Sequence, residues 1–275
     1  MVKVLVINGS PRMGRGNTAL VLDAFVDGMV EAGADVDVVM LSELDIRPCA
    51  GEFACWYRTV GRCHIRDDMQ PLYARLREAD VWVLGTPVHL PLPGTVQNLL
   101  NRLMPLVEPV LETREGRTRA RLHGDVRARK FVLVASSGWW ELDNFGTVIH
   151  IATEMCKDIG LDLSGALLRP HAYKMRSGDG LTEDGREVLR AARRAGRQLV
   201  EWGYMGTEAL EAVRRPLVDQ EAYRVEQNED YAKAVAARGG TGPSQKGATS
   251  PRARSRPDTK PRGRPHRKAR RKEGR

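Results

Sequence analysis

The first eighteen residues constrain the fold of this chain more than any other stretch. Residues 2–7 (VKVLVI) form a short, almost continuous apolar run, typical of a strand buried on both faces in a parallel sheet. Residues 8–18 are rich in glycine, hydroxyl and amide groups, and residues 19–30 have the apolar spacing of a helix. Such a strand, loop and helix present free backbone N–H groups and a partial positive charge to an anion. The stretch therefore predicts a phosphate site that directly follows the first strand.

Three kinds of phosphate-binding loop fit parts of residues 9–18. The first glycines have Walker A spacing, but Arg15-Gly16 replaces the Lys and Ser or Thr that a nucleotide triphosphatase needs. Gly14-x-Gly16-x-x-Ala19 fits the dinucleotide fingerprint by letter, although it begins too far beyond the strand. The third kind of loop holds a single terminal phosphate, as on a mononucleotide such as FMN. An ordinary turn before a helix is the remaining alternative, and the loop alone leaves these interpretations open.

Length and composition indicate one good-sized core. The chain has 275 residues, of which 41% are hydrophobic, which suffices for one domain with appendages. We expect no membrane span, because no run of about 18 apolar residues occurs. The N-terminus does not have the pattern of an export signal, and four cysteines do not suggest a disulfide framework. We therefore expect a cytoplasmic protein.

The net charge of +9 comes from the C-terminal tail. Residues 239–275 contain 13 Lys or Arg and 2 Asp or Glu, so this tail carries +11 and the rest of the chain −2. The tail also lacks apolar periodicity, which predicts disorder. It suits nonspecific contact with a polyanion through phosphates, or a solubilising extension without a partner.

Strand-like and helical patterns alternate along the chain. Four further strands are expected, at residues 34–41, 80–85, 130–136 and 161–168. Further helices are expected at residues 67–78 (capped by Asp67-Asp68), 94–106, 144–159 and 182–201. The alternation predicts an α/β fold with a doubly wound parallel sheet and right-handed crossovers.

The remaining segments are assigned more coarsely. Residues 111–129 are highly charged, which favours a surface loop or helix, and residues 207–238 have a scattered helical pattern. The predicted organisation is a domain at 1–203, a helical extension at 204–238 and the disordered tail at 239–275.

Three loops follow the carboxyl ends of the expected strands, where open parallel sheets bind ligands. They are residues 9–18, 86–94 and 136–146. The first suits a phosphate, whereas the other two offer rigid prolines, His89 and two indoles, which suit a planar heterocycle. A phosphate site beside a site for a ring system indicates FMN.

Three motifs together resemble the NADPH-dependent FMN reductase and iron-sulfur flavoprotein branch of the flavodoxin-like superfamily. They are GSPRMGRGNT at 9–18, DDM at 67–69 and GTPVH at 85–89. The resemblance, which extends to about residue 201, implies a flavodoxin-like five-stranded sheet in the order 2-1-3-4-5. It also implies bound FMN, NAD(P)H as co-substrate and a homodimer or homotetramer.

The resemblance also implies which residues bind FMN. For the phosphate these are Ser10, Arg12, Asn17 and Thr18. On one side of the isoalloxazine ring they are Pro87, Val88 and His89, with His89 in place of a more usual Tyr. On the other side they are Ser136, Ser137, Gly138 and Trp139.

The cysteines decide whether a metal centre is expected. The iron-sulfur flavoproteins that the chain resembles carry a four-cysteine motif where this chain has Cys49, Cys55 and Cys63, with Glu52 at the second position. A [4Fe–4S] cluster normally uses four thiolates. We therefore expect free or packed thiols, with no iron-sulfur cluster and no metal; a carboxylate ligand is the alternative.

These features together predict an FMN-dependent NAD(P)H oxidoreductase. Electrons would pass from NAD(P)H through bound FMN to a small acceptor such as a quinone or a flavin. No catalytic side chain is expected, because a flavin accepts the hydride itself; His89 as a general acid is the alternative. Two other classes stay open: an electron carrier without NAD(P)H turnover, and a polyanion-binding protein that acts through its tail.

Overall fold

Five apolar runs of the sequence pair as a parallel sheet. The computed structural model describes residues 1–178 and 180–237. The sheet consists of β1 (Lys3–Asn8), β2 (Asp35–Met40), β3 (Val81–Pro87), β6 (Lys130–Ser136) and β7 (Asp162–Arg169), while β4 (Val107–Arg114) and β5 (Arg117–Leu122) form a separate antiparallel hairpin. The spatial order is β2-β1-β3-β6-β7. Counted along the sheet's own strands this is 2-1-3-4-5, so the predicted flavodoxin-like order is confirmed.

The α-helices of the described residues are α1 (Asn17–Glu31), α2 (Ala54–Tyr57), α3 (Met69–Glu78), α4 (Gly94–Asn101), α5 (Gly146–Ile159), α6 (Glu183–Trp202), α7 (Thr207–Arg214) and α8 (Gln220–Ala237). Six of them cover the two faces of the sheet. Side chains alternate along each strand, so Val4 and Val6 pack with α1, α6 and α7, whereas Leu5 and Ile7 pack with α3, α4 and α5. Each face of the sheet therefore carries its own hydrophobic core.

Two glycines let α1 and α6 approach closely. A Cβ on Gly28 would overlap the backbone carbonyl of Arg193, and a Cβ on Gly196 would overlap that of Phe25. Because the obstacle is backbone rather than a movable side chain, only glycine fits at either position. This packing fixes the axis of α1, and with it the position of the loop at its N-terminus.

The charged region before β6 differs from its prediction. Much of residues 111–129 belongs to the hairpin, so the expected loop or surface helix was wrong there. The hairpin turns at Glu115 and Gly116, whose φ angles of 50° and 72° are both positive. Paired strands of this kind favour such a turn, because its twist matches theirs. The preceding helix also ends earlier than expected, at Asn101, and a 3-10 turn occupies Met104–Leu106.

The helical pattern at 207–238 is confirmed over the described residues, but it is divided into two helices. The chain forms α7 and α8, separated by residues 215–219. Arg215 is extended, with φ −53° and ψ 145°, and Pro216 follows it. A proline disfavours helical backbone in the residue before it, which explains the break.

The Asp67-Asp68 cap is only half correct. Asp67 Oδ1 accepts a hydrogen bond from the backbone N–H of Met69 at 3.1 Å, as an N-terminal cap does. Asp68 makes no side-chain bond to the helix; its Oδ2 accepts from the N–H of Asp45 at 2.7 Å. The second carboxylate therefore fastens the loop that follows β2.

Residues 1–224 form one compact unit, and residues from 225 onward are grouped as a second, of which 225–237 are described and helical. The predicted division at residue 203 stays a prediction. The predicted disordered tail at 239–275 lies outside the described residues. Within the described ranges, no helix combines the length and apolar character that crossing a membrane requires.

Candidate functional site

A cavity of about 330 Å³ opens at the carboxyl ends of β1, β3 and β6. Nine of the ten predicted cofactor-binding residues line it, namely Ser10, Arg12, Asn17, Thr18, Pro87, Val88, His89, Ser136 and Gly138. Ser137, also implied by the resemblance, lines it as well. The fold thus brings together loops that are more than 100 residues apart in the sequence.

The loop after β1 is shaped by its own hydrogen bonds. The N–H of Ser10 donates to Asn8 Oδ1 at 3.0 Å, and the N–H of Arg12 lies 3.3 Å from Ser10 Oγ. The N–H of Gly9 donates to the carbonyl of Gly85 at 2.7 Å, which ties the loop to the end of β3. These bonds hold the loop against the sheet, while Arg12 stays exposed at the cavity.

The N-terminus of α1 opens on the same end of the cavity. Its N-cap is Gly16, whose backbone is extended (φ −86°, ψ 159°) and which has no side chain to cap the helix. The first N–H groups of a helix have no acceptor within the helix, and here Asn17 and Thr18 line the cavity. A Cβ at position 16 would lie 2.9 Å from Ser10 Oγ, so glycine lets the loop close. This end of the cavity combines helix-terminal N–H groups, hydroxyls and the Arg12 charge, which suits a phosphate.

A buried hydrogen bond joins this loop to the centre of the sheet. Thr18 Oγ1 and Ser136 Oγ lie 2.7 Å apart, and both residues are buried. Because Ser136 ends β6, the bond sets the distance between the phosphate end of the cavity and its opposite wall.

Backbone hydrogen bonds hold the loops that form the opposite wall of the cavity. The N–H of Val88 donates to the carbonyl of Ser136 at 2.8 Å, and that of His89 to the carbonyl of Pro91 at 2.8 Å. The N–H of Ser137 donates to the carbonyl of Arg169 at 3.0 Å. A wall of this kind is rigid and mostly apolar, which suits the face of a planar ring.

Two lining residues, Ala172 and Tyr173, were missed by the sequence reasoning. The N–H of Ala172 donates to the carbonyl of Ser137 at 2.9 Å, which brings the segment after β7 to the cavity. A Cβ on Gly138 would lie 2.9 Å from Tyr173 Cε2, so the ring packs directly on that glycine. The only sequence signal was their position after the last strand of the sheet.

Trp139 is the predicted residue that does not line this cavity. It is 68% exposed, and its carbonyl accepts from the N–H of His171 at 2.7 Å. The indole lies on the surface beside the wall, and its predicted role in binding stays a prediction.

A second cavity, of about 370 Å³, is lined by Cys49, Cys55 and Cys63 together with Glu52 and Arg102. Burial, followed by the neighbouring thiols and Glu52, raises the pKa of Cys55. Glu52 Oε1 lies 2.9 Å from His64 Nδ1, so this carboxylate already has a partner. The fourth cysteine, Cys156, is buried in α5 and does not line the cavity.

Arg102, which lines this second cavity, forms a buried ion pair with Asp67. Arg102 Nη1 and Nη2 donate to the two carboxylate oxygens of Asp67 at 2.6 and 3.0 Å, and each side chain is 1% exposed. Asp67 also accepts from the N–H of Arg47 at 3.0 Å. The pair connects α3, α4 and the loop after β2 through one carboxylate.

The fold and this arrangement of the cavity define a flavodoxin-like α/β protein, and comparison with known proteins gives the family. Residues 2–138 match the model of the NADPH-dependent FMN reductase family, and the chain belongs to it. Iron-sulfur flavoprotein MJ1083 of Methanocaldococcus jannaschii is 33% identical over 109 residues, which are 40% of this chain and 53% of that protein. An iron-sulfur flavoprotein of Archaeoglobus fulgidus is 32% identical over 102 residues, which are 37% of this chain and 48% of that protein. The chain thus spans about half the length of these curated relatives.

Solved structures show the same fold at lower identity. An NAD(P)H:quinone oxidoreductase from Methanothermobacter marburgensis has a TM-score of 0.51 and 21% identity, covering 72% of this chain and 96% of its own. A putative quinone reductase from Klebsiella pneumoniae has a TM-score of 0.54 and 16% identity, covering 74% and 86%.

The iron-sulfur cluster in the names of the curated relatives does not fit the residues of this chain. Three thiols line the second cavity where a [4Fe–4S] cluster normally takes four, and the second position of the motif holds Glu52, a carboxylate paired with His64. In the part of the chain that the structure describes, no group of three or more His, Cys, Asp or Glu is placed to hold a metal ion. The expectation that no cluster is bound stays a prediction.

Proposed function

We propose that this protein is an FMN-dependent NAD(P)H oxidoreductase that passes electrons to a small acceptor such as a quinone or a flavin. One observation carries the proposal. In a chain of the FMN reductase family, a single cavity has hydrogen-bond donors suited to a phosphate at one end and a rigid wall at the other. Bound FMN would supply the hydride chemistry, as flavins do in general.

The residues at the phosphate end would bind FMN through charge and hydrogen-bond donors. Arg12 offers a guanidinium, Ser10 and Thr18 offer hydroxyls, and Asn17 offers an amide beside the N-terminus of α1. The bond between Thr18 and Ser136 holds this end in place before any ligand arrives. Preorganised donors of this kind cost little entropy on binding.

The residues of the opposite wall would hold the ring. Pro87, Val88 and His89 form one side, and Ser136 and Gly138 form the other, with Trp139 at its outer edge. His89 is exposed and Tyr173 is half exposed, so the cavity is open beside them. We propose that NAD(P)H and the acceptor use this opening in turn.

We also propose a homodimer or homotetramer in the cytoplasm. Leu90 is 88% exposed and Trp139 is 68% exposed, and each adjoins a residue that lines the cavity. We propose that these two side chains belong to a subunit contact, since contiguous exposed apolar patches mark such contacts. The free cysteines suit a reducing compartment.

For the remaining segments we propose the organisation that the sequence predicts. Residues 1–203 would form the FMN-binding domain and 204–238 a helical extension. The tail at 239–275, with its charge of +11, would make nonspecific contact with polyanions.

Anaerobic mixing of the FMN-loaded protein with NADH or NADPH tests the proposed reaction. We expect NADH, NADPH or both to bleach the flavin absorbance at least as fast as the steady-state turnover rate. A quinone or free flavin should then restore the absorbance. Each protein should turn over many times in the presence of both substrates. Bound FMN that neither donor reduces, but that dithionite reduces normally, would instead identify an electron carrier.

A further inference from the structure

Residues 213–223 lie against the loops that form the cavity. This C-terminal segment falls beyond the five strand–helix units and beyond residues 2–138, which match the family model. Arg169 Nη1 donates to the carbonyl of Val213 at 2.8 Å, and Trp140 Nε1 donates to the carbonyl of Val218 at 2.9 Å. The segment is therefore fastened to β7 and to the loop after β6, whose first residues line the cavity.

His171 lies between the segment and the cavity wall. It is 1% exposed, and its φ of 34° is a left-handed backbone conformation that residues other than glycine rarely adopt. Its Nε2 accepts from the N–H of Leu217 at 3.0 Å and lies 2.9 Å from Arg169 Nη2. Burial, followed by the charge of Arg169, lowers the pKa of His171 to about 4, so the ring is neutral at pH 7 and the lone pair of Nε2 is shared between the two N–H donors. The ring stacks on Trp140 with centroids 5.9 Å apart.

Tyr223 reaches the cavity wall itself. Its hydroxyl donates to the carbonyl oxygen of Gly138, and its ring lies 5.9 Å from that of His171. The N–H of Trp139 donates to Ser137 Oγ at 3.1 Å. Both polar atoms of the peptide between Gly138 and Trp139 are therefore held, the oxygen by Tyr223 and the N–H by Ser137.

This peptide needs an external anchor. Gly138 lines the cavity, and a glycine has the widest choice of backbone conformations. The hydrogen bond from Tyr223 fixes the carbonyl of Gly138 so that it points toward the C-terminal segment. Without that bond the wall would sample other orientations, and a ligand would have to select one of them.

We propose that Tyr223 is a positioning residue for the flavin ring, which sets the cavity wall by holding the carbonyl of Gly138. This inference rests on the proposed FMN site. The wall faces the ring rather than the phosphate, so loosening it weakens every flavin equally. The C-terminal segment then contributes to flavin binding through the cavity wall, although none of its residues lines the cavity.

The test compares Tyr223→Phe with Tyr73→Phe in the full chain. Tyr73 is a matched control, because it is a buried tyrosine whose hydroxyl donates to a backbone carbonyl, that of Arg102, at 2.8 Å and away from the first cavity. Both variants lose one hydrogen bond to a backbone carbonyl, buried for Tyr73 and partly buried for Tyr223, so the loss of thermal stability in Tyr73→Phe should be at least as large. Dissociation constants for FMN and riboflavin are measured by titration, together with the visible circular dichroism of the bound flavin.

We expect Tyr223→Phe to weaken the binding of FMN and riboflavin alike, each by up to about tenfold, the limit reached if ligand binding has to restore the whole contribution of one such bond. The circular dichroism of the bound flavin should change, and Tyr73→Phe should bind both as the wild type does. Trp140→Phe keeps the ring beside His171 but releases Val218, and should give the same pattern with a smaller effect. This second variant serves if Tyr223→Phe does not fold.

Wild-type affinity for both flavins in Tyr223→Phe would overturn the proposal, as would equal losses in the two tyrosine variants. Loss of FMN affinity alone would place the effect at the phosphate and would also overturn it. If the wild-type protein binds neither flavin, the proposed function fails first and this inference fails with it.

Discussion

Replacing Arg12 with alanine is expected to weaken FMN binding by about 10- to 100-fold and to leave riboflavin binding unchanged. A hydrogen bond between charged groups contributes about 1.5–3 kcal/mol, and each 1.4 kcal/mol changes an affinity about tenfold. Arg12 is exposed at the end of the cavity where hydroxyls and the α1 N-terminus also converge. Because riboflavin lacks the phosphate, it reports on the ring wall alone.

Arg15→Ala is the matched control for Arg12→Ala. Arg15 has the same charge, lies in the same loop and is likewise exposed, but it is not among the residues that line the cavity. The affinities of both variants for FMN and riboflavin would be measured side by side. Equal effects of the two variants on FMN would mean that general charge, rather than a built phosphate site, attracts the ligand.

The largest stability effect is expected from Asp67→Ala, which should lower the free energy of unfolding by about 3–5 kcal/mol, the usual loss when one partner of a buried ion pair is removed. Arg102, 1% exposed, would keep a buried charge without its carboxylate. The N–H groups of Arg47 and Met69 would lose an acceptor as well. Chemical denaturation at pH 7 measures the change.

The exposed pair between Asp37 and Arg75 provides the control, since Asp37→Ala should cost at most about 1 kcal/mol. Similar losses in the Asp67 and Asp37 variants would show that burial adds nothing to the inner pair. Such a result would also mean that the first carboxylate of the DDM motif does not hold α3, α4 and the loop after β2 together.

The Asp67 pair also predicts how stability depends on pH. Burial raises the pKa of Asp67, but bonds from Arg102 and from the N–H groups of Arg47 and Met69 outweigh it, so the pKa is lowered overall. A carboxylate with a lowered pKa stabilises the fold above its unfolded value, about 3.9, and the contribution is lost as pH falls through the folded value. Wild-type protein should therefore lose more stability below about pH 4 than Asp67→Ala does.

Much of the fold was readable because its signals are local. The apolar run at 2–7 predicted a buried strand, which the structure confirms, and the loop at 9–18 lines the cavity. That this loop binds a phosphate stays a prediction. The hairpin β4–β5 was missed because its sequence is highly charged, although Glu115-Gly116 provided a turn signal between its strands. In this hairpin Glu112 lies opposite Arg119, a pairing that single-residue propensities do not reveal.

The parts of the site that the sequence did not predict depend on contacts between residues that are distant in the sequence. Asp67 reads as a helix cap in the sequence, because its partner Arg102 lies 35 positions away. Tyr173 reaches the cavity only because the segment after β7 bonds to Ser137. Tyr223 bonds to a glycine 85 positions earlier, and no periodicity in the helical pattern around it marks that contact.

The most direct test of the central claim is an absorption spectrum of the purified protein, with iron and released flavin assayed on the same sample. We predict the visible bands of oxidised flavin, FMN as the flavin released on denaturation, and no stoichiometric iron. Stoichiometric iron together with flavin would contradict the assignment of the cysteine cavity as free of a cluster. A protein that shows no flavin, and takes up none after incubation with FMN, would contradict the proposed function itself.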